Sequence, residues 1–425
     1  MESYETLTTI SNIEKGRFRY YDSLDPRFFL YVGIFAIFSL GIVPKDILLI
    51  AAILVFTISP TKEMVYLYIF SLPWMNVATF SFGLTLSLIQ SVLFVVKILL
   101  TRRTIRLDVY ELVYLVFLLL SGAICFINFR SLTGISFVFY FLISNVIVHD
   151  NLQQDRKENH FWRIALYSIL ISCLFAAIYG LTHATTIHRW IKGIGYARQF
   201  YGTMGTTRFG IYLCISTLFA LYCVEKKWKK ITISIILAVG VIATVSMTAL
   251  ILLILVYLFY FFTKGKLSVR KIGIFVVAIT IIGLTFLFWD RVSDISFIKP
   301  LATRIDLITQ QVIAGDLDSA TSGRTGLSTS YLNQFNESSA LEKIFGRFNL
   351  SMEGTTYSHN SYIDMLNYYG IIGLILGVGL QIKRIRQHAG MVEFKMYLLL
   401  KILIIISAAT VSIFSAQYWQ IWFYM

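Results

Sequence analysis

Charge is scarce in this chain: only 14% of its 425 residues are Asp, Glu, Lys or Arg, whereas 57% are hydrophobic. A soluble protein of this length needs a charged surface to stay dispersed, so a soluble globular class is excluded. Internal repeats and low-complexity tracts are lacking. The alternating pattern of a membrane barrel is lacking too, which leaves helices to satisfy a lipid-embedded backbone. The polar first 27 residues are followed by an apolar run with no small-residue cleavage site, so no cleavable signal peptide is expected. The four cysteines, Cys125, Cys173, Cys214 and Cys223, sit inside apolar runs and have neither metal-ligand nor disulfide spacing. HExxH, Cys/His clusters, a DxD-like pair in the long polar segment and a Gly-rich phosphate loop are all missing. No metal and no cofactor are expected.

What is present is a series of apolar runs, each long enough to cross a bilayer core of roughly 30 Å as a helix. They fall near 28–43, 46–59, 64–80, 83–100, 108–126, 132–148, 162–181, 207–223, 231–247, 248–263, 271–288, 360–381 and 397–416. The expected fold class is an all-α polytopic integral membrane protein with about 12–13 transmembrane helices. A net charge of +14 would suit nucleic acid, but Lys- and Arg-rich loops on one face of the membrane explain it without a nucleic-acid partner. Four basic clusters carry it: Arg102, Arg103 and Arg106; Lys226, Lys227, Lys229 and Lys230; Lys264, Lys266, Arg270 and Lys271; and Lys383, Arg384 and Arg386. Alternating spans put all four on one side, which the positive-inside rule makes cytoplasmic.

This parity predicts a cytoplasmic N-terminal segment (1–27), a bundle of spans (28–289), a large external loop (290–358) and C-terminal spans (359–425), with the aromatic C-terminus SAQYWQIWFYM at the outer interface. The external loop contains helix-like stretches such as TGLSTSYLNQF. The histidines His149, His160 and His388 fall in cytoplasmic loops and suggest no chemistry.

A second external segment, residues 182–207, is anomalous. It holds Arg189, Lys192 and Arg198, with Arg208 just after it, and has no Asp or Glu. External cations run against the insertion bias, and a bound anion would compensate their repulsion. Arginine pairs with phosphate oxygens bidentately, and Gly193, Gly195, Gly202 and Gly205 let backbone approach a ligand closely. The plainer reading is snorkelling to lipid headgroups, which suits Arg189 and Lys192 equally well. Arg208 adjoins an apolar run directly and is the stronger candidate. In TSGRTG, Arg324 is a further cation, with pairing to Asp316 or Asp318 as its plain alternative.

The stretch SHNSYIDMLNYYGIIGL (358–374) opens an apolar run with Ser358 as the expected N-cap and His359 at the outer surface. Histidine is a natural general base near neutral pH, with a capping or interfacial role as the bland alternative. Asn360 would orient the ring or a substrate hydroxyl, and Asp364, one turn further on, would polarise the site. Tyr357 is a further candidate substrate contact.

Together ARQFYGTMGTTRFG (197–210), SGRTGLSTSYLNQF (322–335), KIFGRFN (343–349) and SHNSYIDMLNYYGIIGL resemble the O-antigen polymerase and O-antigen ligase superfamily. The likeness covers about the second half of the chain, and the last stretch carries most of it. The resemblance implies a C-type membrane glycosyltransferase fold in the bacterial cytoplasmic (inner) membrane, working on its outer, periplasmic face. It implies an undecaprenyl-diphosphate-linked glycan donor, a second lipid-linked unit as acceptor, membrane lipids around the enzyme and a chain-length regulator protein as partner, with neither metal nor nucleotide sugar. His359 would be the general base, Arg198 and Arg208 would hold the diphosphate, and Arg324 would assist the leaving group or place the acceptor. A polymerase for O-antigen or capsule polysaccharide is the first expectation and a ligase the second. A lipid-linked glycan flippase is the alternative from another class. Transporters favour broken helices and buried mid-membrane charges, whereas the span centres here read as largely clean.

Overall fold

The computed structural model describes residues 26–74, 77–81, 83–101, 105–129, 133–152, 160–182, 187–191, 194–198, 206–263, 280, 287–295, 298–321, 323–348, 358–389, 394–410 and 423–425. The expected spans in this set become helices: α1 (Pro26–Leu40), α2 (Lys45–Ile58), α3 (Thr61–Ser71), α4 (Leu86–Leu100), α5 (Val109–Phe129), α6 (Thr133–Val146), α7 (His160–Thr182), α8 (Thr206–Cys223), α9 (Lys227–Ala243) and α10 (Met247–Thr263). The polar region then forms α11 (Trp289–Ser293), α12 (Lys299–Ile313), α13 (Leu317–Ala320), α14 (Arg324–Glu337) and α15 (Ala340–Phe345), followed by α16 (Ser361–His388) and α17 (Phe394–Ala408). TGLSTSYLNQF lies within α14. The expected N-terminal segment and most of the run at 271–288 lie outside the described residues.

Val109–Phe129, Phe161–Tyr179 and Ser361–His388 are long and apolar enough to cross a membrane, and shorter apolar helices pack around them. Large apolar side chains such as Phe29, Leu54, Leu120, Ile236 and Ile375 face outwards uncovered. An exposed apolar surface of that extent suits lipid, not water. The architecture is that of an almost entirely helical membrane protein.

Three features depart from the sequence reading. First, residues 182–207 are not simply a loop: β1 (Ile187–Ile191) and β2 (Ile194–Arg198) form an antiparallel hairpin, pairing Ile187 with Arg198 and Arg189 with Tyr196. Second, the span after α2 is short. α3 stops at Ser71 and tightens into a 3-10 turn, Leu72–Trp74, that buries Trp74, whose indole N–H donates to Ser172 Oγ of α7 at 3.1 Å. Third, α16 is broken. Gly370 has φ 67° and ψ −169° inside it, and a Cβ on Gly377 would run into Met365 Cε. In a straight helix these two residues would be about 18 Å apart along the axis. The half helix Ser361–Tyr369 therefore folds towards the half that follows Gly370.

The break leaves carbonyls without helical partners, which must be satisfied elsewhere. Arg347 N–H donates to Asn367 O at 2.9 Å and Phe348 N–H to Tyr368 O at 3.0 Å. The segment just after α15 thus supplies the missing turn. A Cβ on Gly346 (φ 91°) would collide with Tyr368 O, and one on Gly370 with Ile344 O, so both positions require glycine. KIFGRFN and NYYG, far apart in sequence, form one backbone joint.

Candidate functional site

The helix ends sort into two groups. One end gathers Arg27 with Ile58, Arg163 with Glu225, Tyr222 with Thr263, and Lys395 with Thr263. The basic residues Arg106 and Lys226–Lys230 adjoin the helix ends gathered there. The other end carries the α7–α8 hairpin, the start of α8, the end of α17 and the turn before α16.

A helix ruler places Arg208 at this second end. Cys223 Sγ, at the far end of α8, meets Met396 Sδ of α17 at 3.7 Å. From that contact Arg208 lies 15 residues back along α8, roughly 22–23 Å at 1.5 Å per residue, and the end of α17 at Ala408 lies 12 residues on, roughly 18 Å, with Thr410 two residues beyond it. Arg324 opens α14 after Gly323, whose φ of 80° suits glycine. Its Nη1 donates to Thr410 O at 2.8 Å, so the guanidinium is tied to the end of α17. Asp316 Oδ1 accepts Ser319 N–H at 3.0 Å, and Asp318 Oδ1 accepts Gly326 N–H at 2.6 Å. One turn along α14, Ser328 Oγ donates to Ser358 O at 3.4 Å, next to His359. Tyr362 O–H donates to Ile405 O at 2.8 Å, which pins the start of α16 against α17. Arg208, Arg324 and His359 therefore share one end of the bundle, and all three are half-buried.

The expected N-cap is corrected. Asn360, not Ser358, caps α16: its Oδ1 accepts from Tyr362 N–H at 3.0 Å and Ile363 N–H at 3.4 Å. The reason is that Asp364 Oδ1 takes Ser358 N–H at 2.8 Å and folds Ser358 back before the helix begins. His359 has φ 61°, a left-handed conformation unusual for a residue with a Cβ. Asp364 is completely buried, so it supports the turn and does not line a substrate surface. Arg189 and Arg198 lie on the two hairpin strands, with β2 against α12. Lys192 and Tyr357 fall outside the described residues. The four cysteines are free thiols, all buried.

The opposite end holds a second polar constellation. Arg384 and Glu111 are completely buried and paired, Nη1 to Oε1 at 2.7 Å. Arg384 Nη2 donates to Asn145 Oδ1, and Nε to Tyr424 O at 3.1 Å. His149 Nε2 lies 3.3 Å from the Glu111 carboxylate, and Lys383 bridges Asp108 and Glu111. Lys401, the central residue of α17, is buried and donates to Gln381 Oε1 at 2.9 Å and Phe423 O at 2.8 Å. His388 stacks on Tyr397, ring centroids 3.9 Å apart.

This overturns four readings. His388 is completely buried in α16, and His149, half-buried, lies in a helical turn just after α6, so neither is a loop residue. Arg384 is no part of a solvated basic loop. The interior is not clean of charge, because Lys401 sits at mid-helix. The last residues, 423–425, fold back among α5, α16 and α17 and do not end at the outer interface. A partial signal existed: Glu111 in VYELVYLVF and Lys401 in LLLKILIII are isolated charges in apolar runs, and these are expensive unless partnered.

Comparison with protein-family models, curated proteins and solved structures finds no match. The functional reading rests on the chemistry of these residues.

Proposed function

We propose that this chain is a membrane glycosyltransferase that moves a glycan from a polyprenyl-diphosphate donor to a hydroxyl of a second lipid-linked unit. In its sharpest form this is an O-antigen or capsule polymerase acting at the outer face of the bacterial cytoplasmic membrane. One observation supports the reading: Arg208, Arg324 and His359 share the end of the bundle away from Arg106 and Lys226. There the acceptor hydroxyl oxygen attacks the anomeric carbon of the donor. The bond from that carbon to the diphosphate oxygen breaks, and its electron pair leaves on the diphosphate. The hydroxyl proton passes to the His359 imidazole. Arg208 and Arg324 supply fixed positive charge for the departing diphosphate, a contribution that is commonly the largest in such reactions.

The test uses purified protein in lipid nanodiscs with a synthetic polyprenyl-diphosphate oligosaccharide. The intact chain is expected to build a product ladder, and His359→Ala to build none while unfolding at the same temperature. An unchanged ladder from His359→Ala overturns the assignment.

A second reading, a lipid-linked glycan transporter, is favoured by the break at Gly370 and by the buried Lys401, both features of membrane transporters. Proteoliposomes separate the two: movement of a labelled lipid-linked glycan across the bilayer with every glycosidic bond intact supports transport.

A further inference from the structure

The geometry points to Asp364 as the positioning residue of His359, an inference that rests on reading His359 as the proton acceptor. His359 occupies a closed turn whose polar groups are committed on both sides. Asp364 Oδ1 accepts Ser358 N–H at 2.8 Å, and Asp364 N–H donates to Asn360 O at 2.9 Å. Ser358 Oγ donates to Asn360 O at 2.9 Å and accepts Asn360 N–H at 3.1 Å. Asn360 in turn caps the helix. Residues 358, 360 and 364 thus clamp the residue between them in its left-handed backbone.

A residue with a Cβ in that region is strained and persists only where its surroundings over-determine it. The Asp364 carboxylate does so from inside the protein. It is completely buried, whereas His359 is half-buried and Ser358 fully so. Asp364 therefore acts on the turn that carries His359, one residue from the Ser328 contact that ties this turn to the Arg324 helix. The function asked of Asp364 is hydrogen-bond acceptance at Oδ1, which an amide oxygen also provides.

That distinction supplies the test. In the nanodisc assay, Asp364→Ala is expected to lower kcat roughly 100-fold with KM little changed, the loss typical of a misplaced catalytic group. Asp364→Asn, which keeps the acceptor, is expected to restore most of the rate. A second readout does not depend on transfer. His359→Cys is labelled with a membrane-impermeant maleimide, against a low background because the native cysteines are all buried. Adding Asp364→Ala is expected to change the labelling rate about tenfold, in line with losing a clamp of this strength, and adding Asp364→Asn to leave it unchanged. If the alanine variant does not fold, Asp364→Leu, close in shape and without an acceptor, takes its place. An unaltered labelling rate and kcat in the acceptor-free variant overturn the proposal, as does an asparagine variant as impaired as alanine. Should His359→Ala retain transfer, the catalytic reading falls while the labelling arm still decides the clamp.

Discussion

The two ends of the bundle solve the problem of polar groups in an apolar molecule in opposite ways. At the basic end the charges turn inwards: Arg384, Glu111 and Lys401 are buried, and each has partners within the fold. At the other end Arg208, Arg324 and His359 stay half-buried, and the surrounding order comes from backbone caps, turns and two glycines. A fully buried network of charges rigidifies helices and lies out of reach of a ligand. Half-buried cations keep part of their surface within reach of one. The comparison teaches that the number of charges at an end says less about its role than how deeply they are buried.

The comparison breaks most severely at Glu111. Glu111→Ala strands the buried Arg384 guanidinium and should cost roughly 3–5 kcal/mol, seen as a large drop in the unfolding temperature in detergent. Pairing Glu111→Leu with Arg384→Met should recover most of that loss, because no buried charge is then left unpaired. A single variant as stable as the parent would show that the basic end is not held by this pair. At the other end, Gly370→Ala forces a Cβ into Ile344 O and a side chain into positive φ, on the order of 1–3 kcal/mol. Faster hydrogen exchange of residues 344–348 would report the opened joint, and unchanged exchange would refute it. Asn360→Ala removes the cap of α16 and should cost about 1 kcal/mol, read as fraying of its first turn by the same exchange measurement.

The smallest effect expected is a pH effect. Glu342 closes a capping box at the start of α15, and the Ser339 N–H that it accepts, with the Ser339 hydroxyl, holds its carboxyl below the usual glutamate range. A depressed carboxyl adds stability that is fully present above its unfolded pKa and is lost as pH falls through its folded one. The protection factors of the α15 amides, which are corrected for intrinsic exchange, should therefore fall in acid and, in Glu342→Gln, become insensitive to pH in that window.

Part of this was legible in the sequence. The apolar runs at 162–181 and 207–223 correspond closely to α7 and α8, because a membrane helix writes its length into hydropathy. SHNSYIDMLNYYGIIGL and SGRTG were visible as unusual polar starts, and the fold ties their helices through Ser328 and Ser358. What the sequence hid were pairings. Arg384 looked like one cation in a basic loop, because nothing local shows that Glu111, 273 positions earlier, lies against it. Gly370 looked like an ordinary small residue in a span, because its dihedral becomes necessary only when Ile344 crowds it.

By itself, then, the sequence determined the helical membrane class and the positions of most of the described apolar helices. Those follow from local composition, since each run must satisfy its own backbone wherever it packs. Only the tertiary structure decided that α16 breaks, that Asn360 and not Ser358 caps it, that the last residues return to the core, and that one end buries Arg384, Glu111 and Lys401 completely while the other keeps Arg208, Arg324 and His359 half-buried. These depend on contacts between distant segments, which no local pattern encodes.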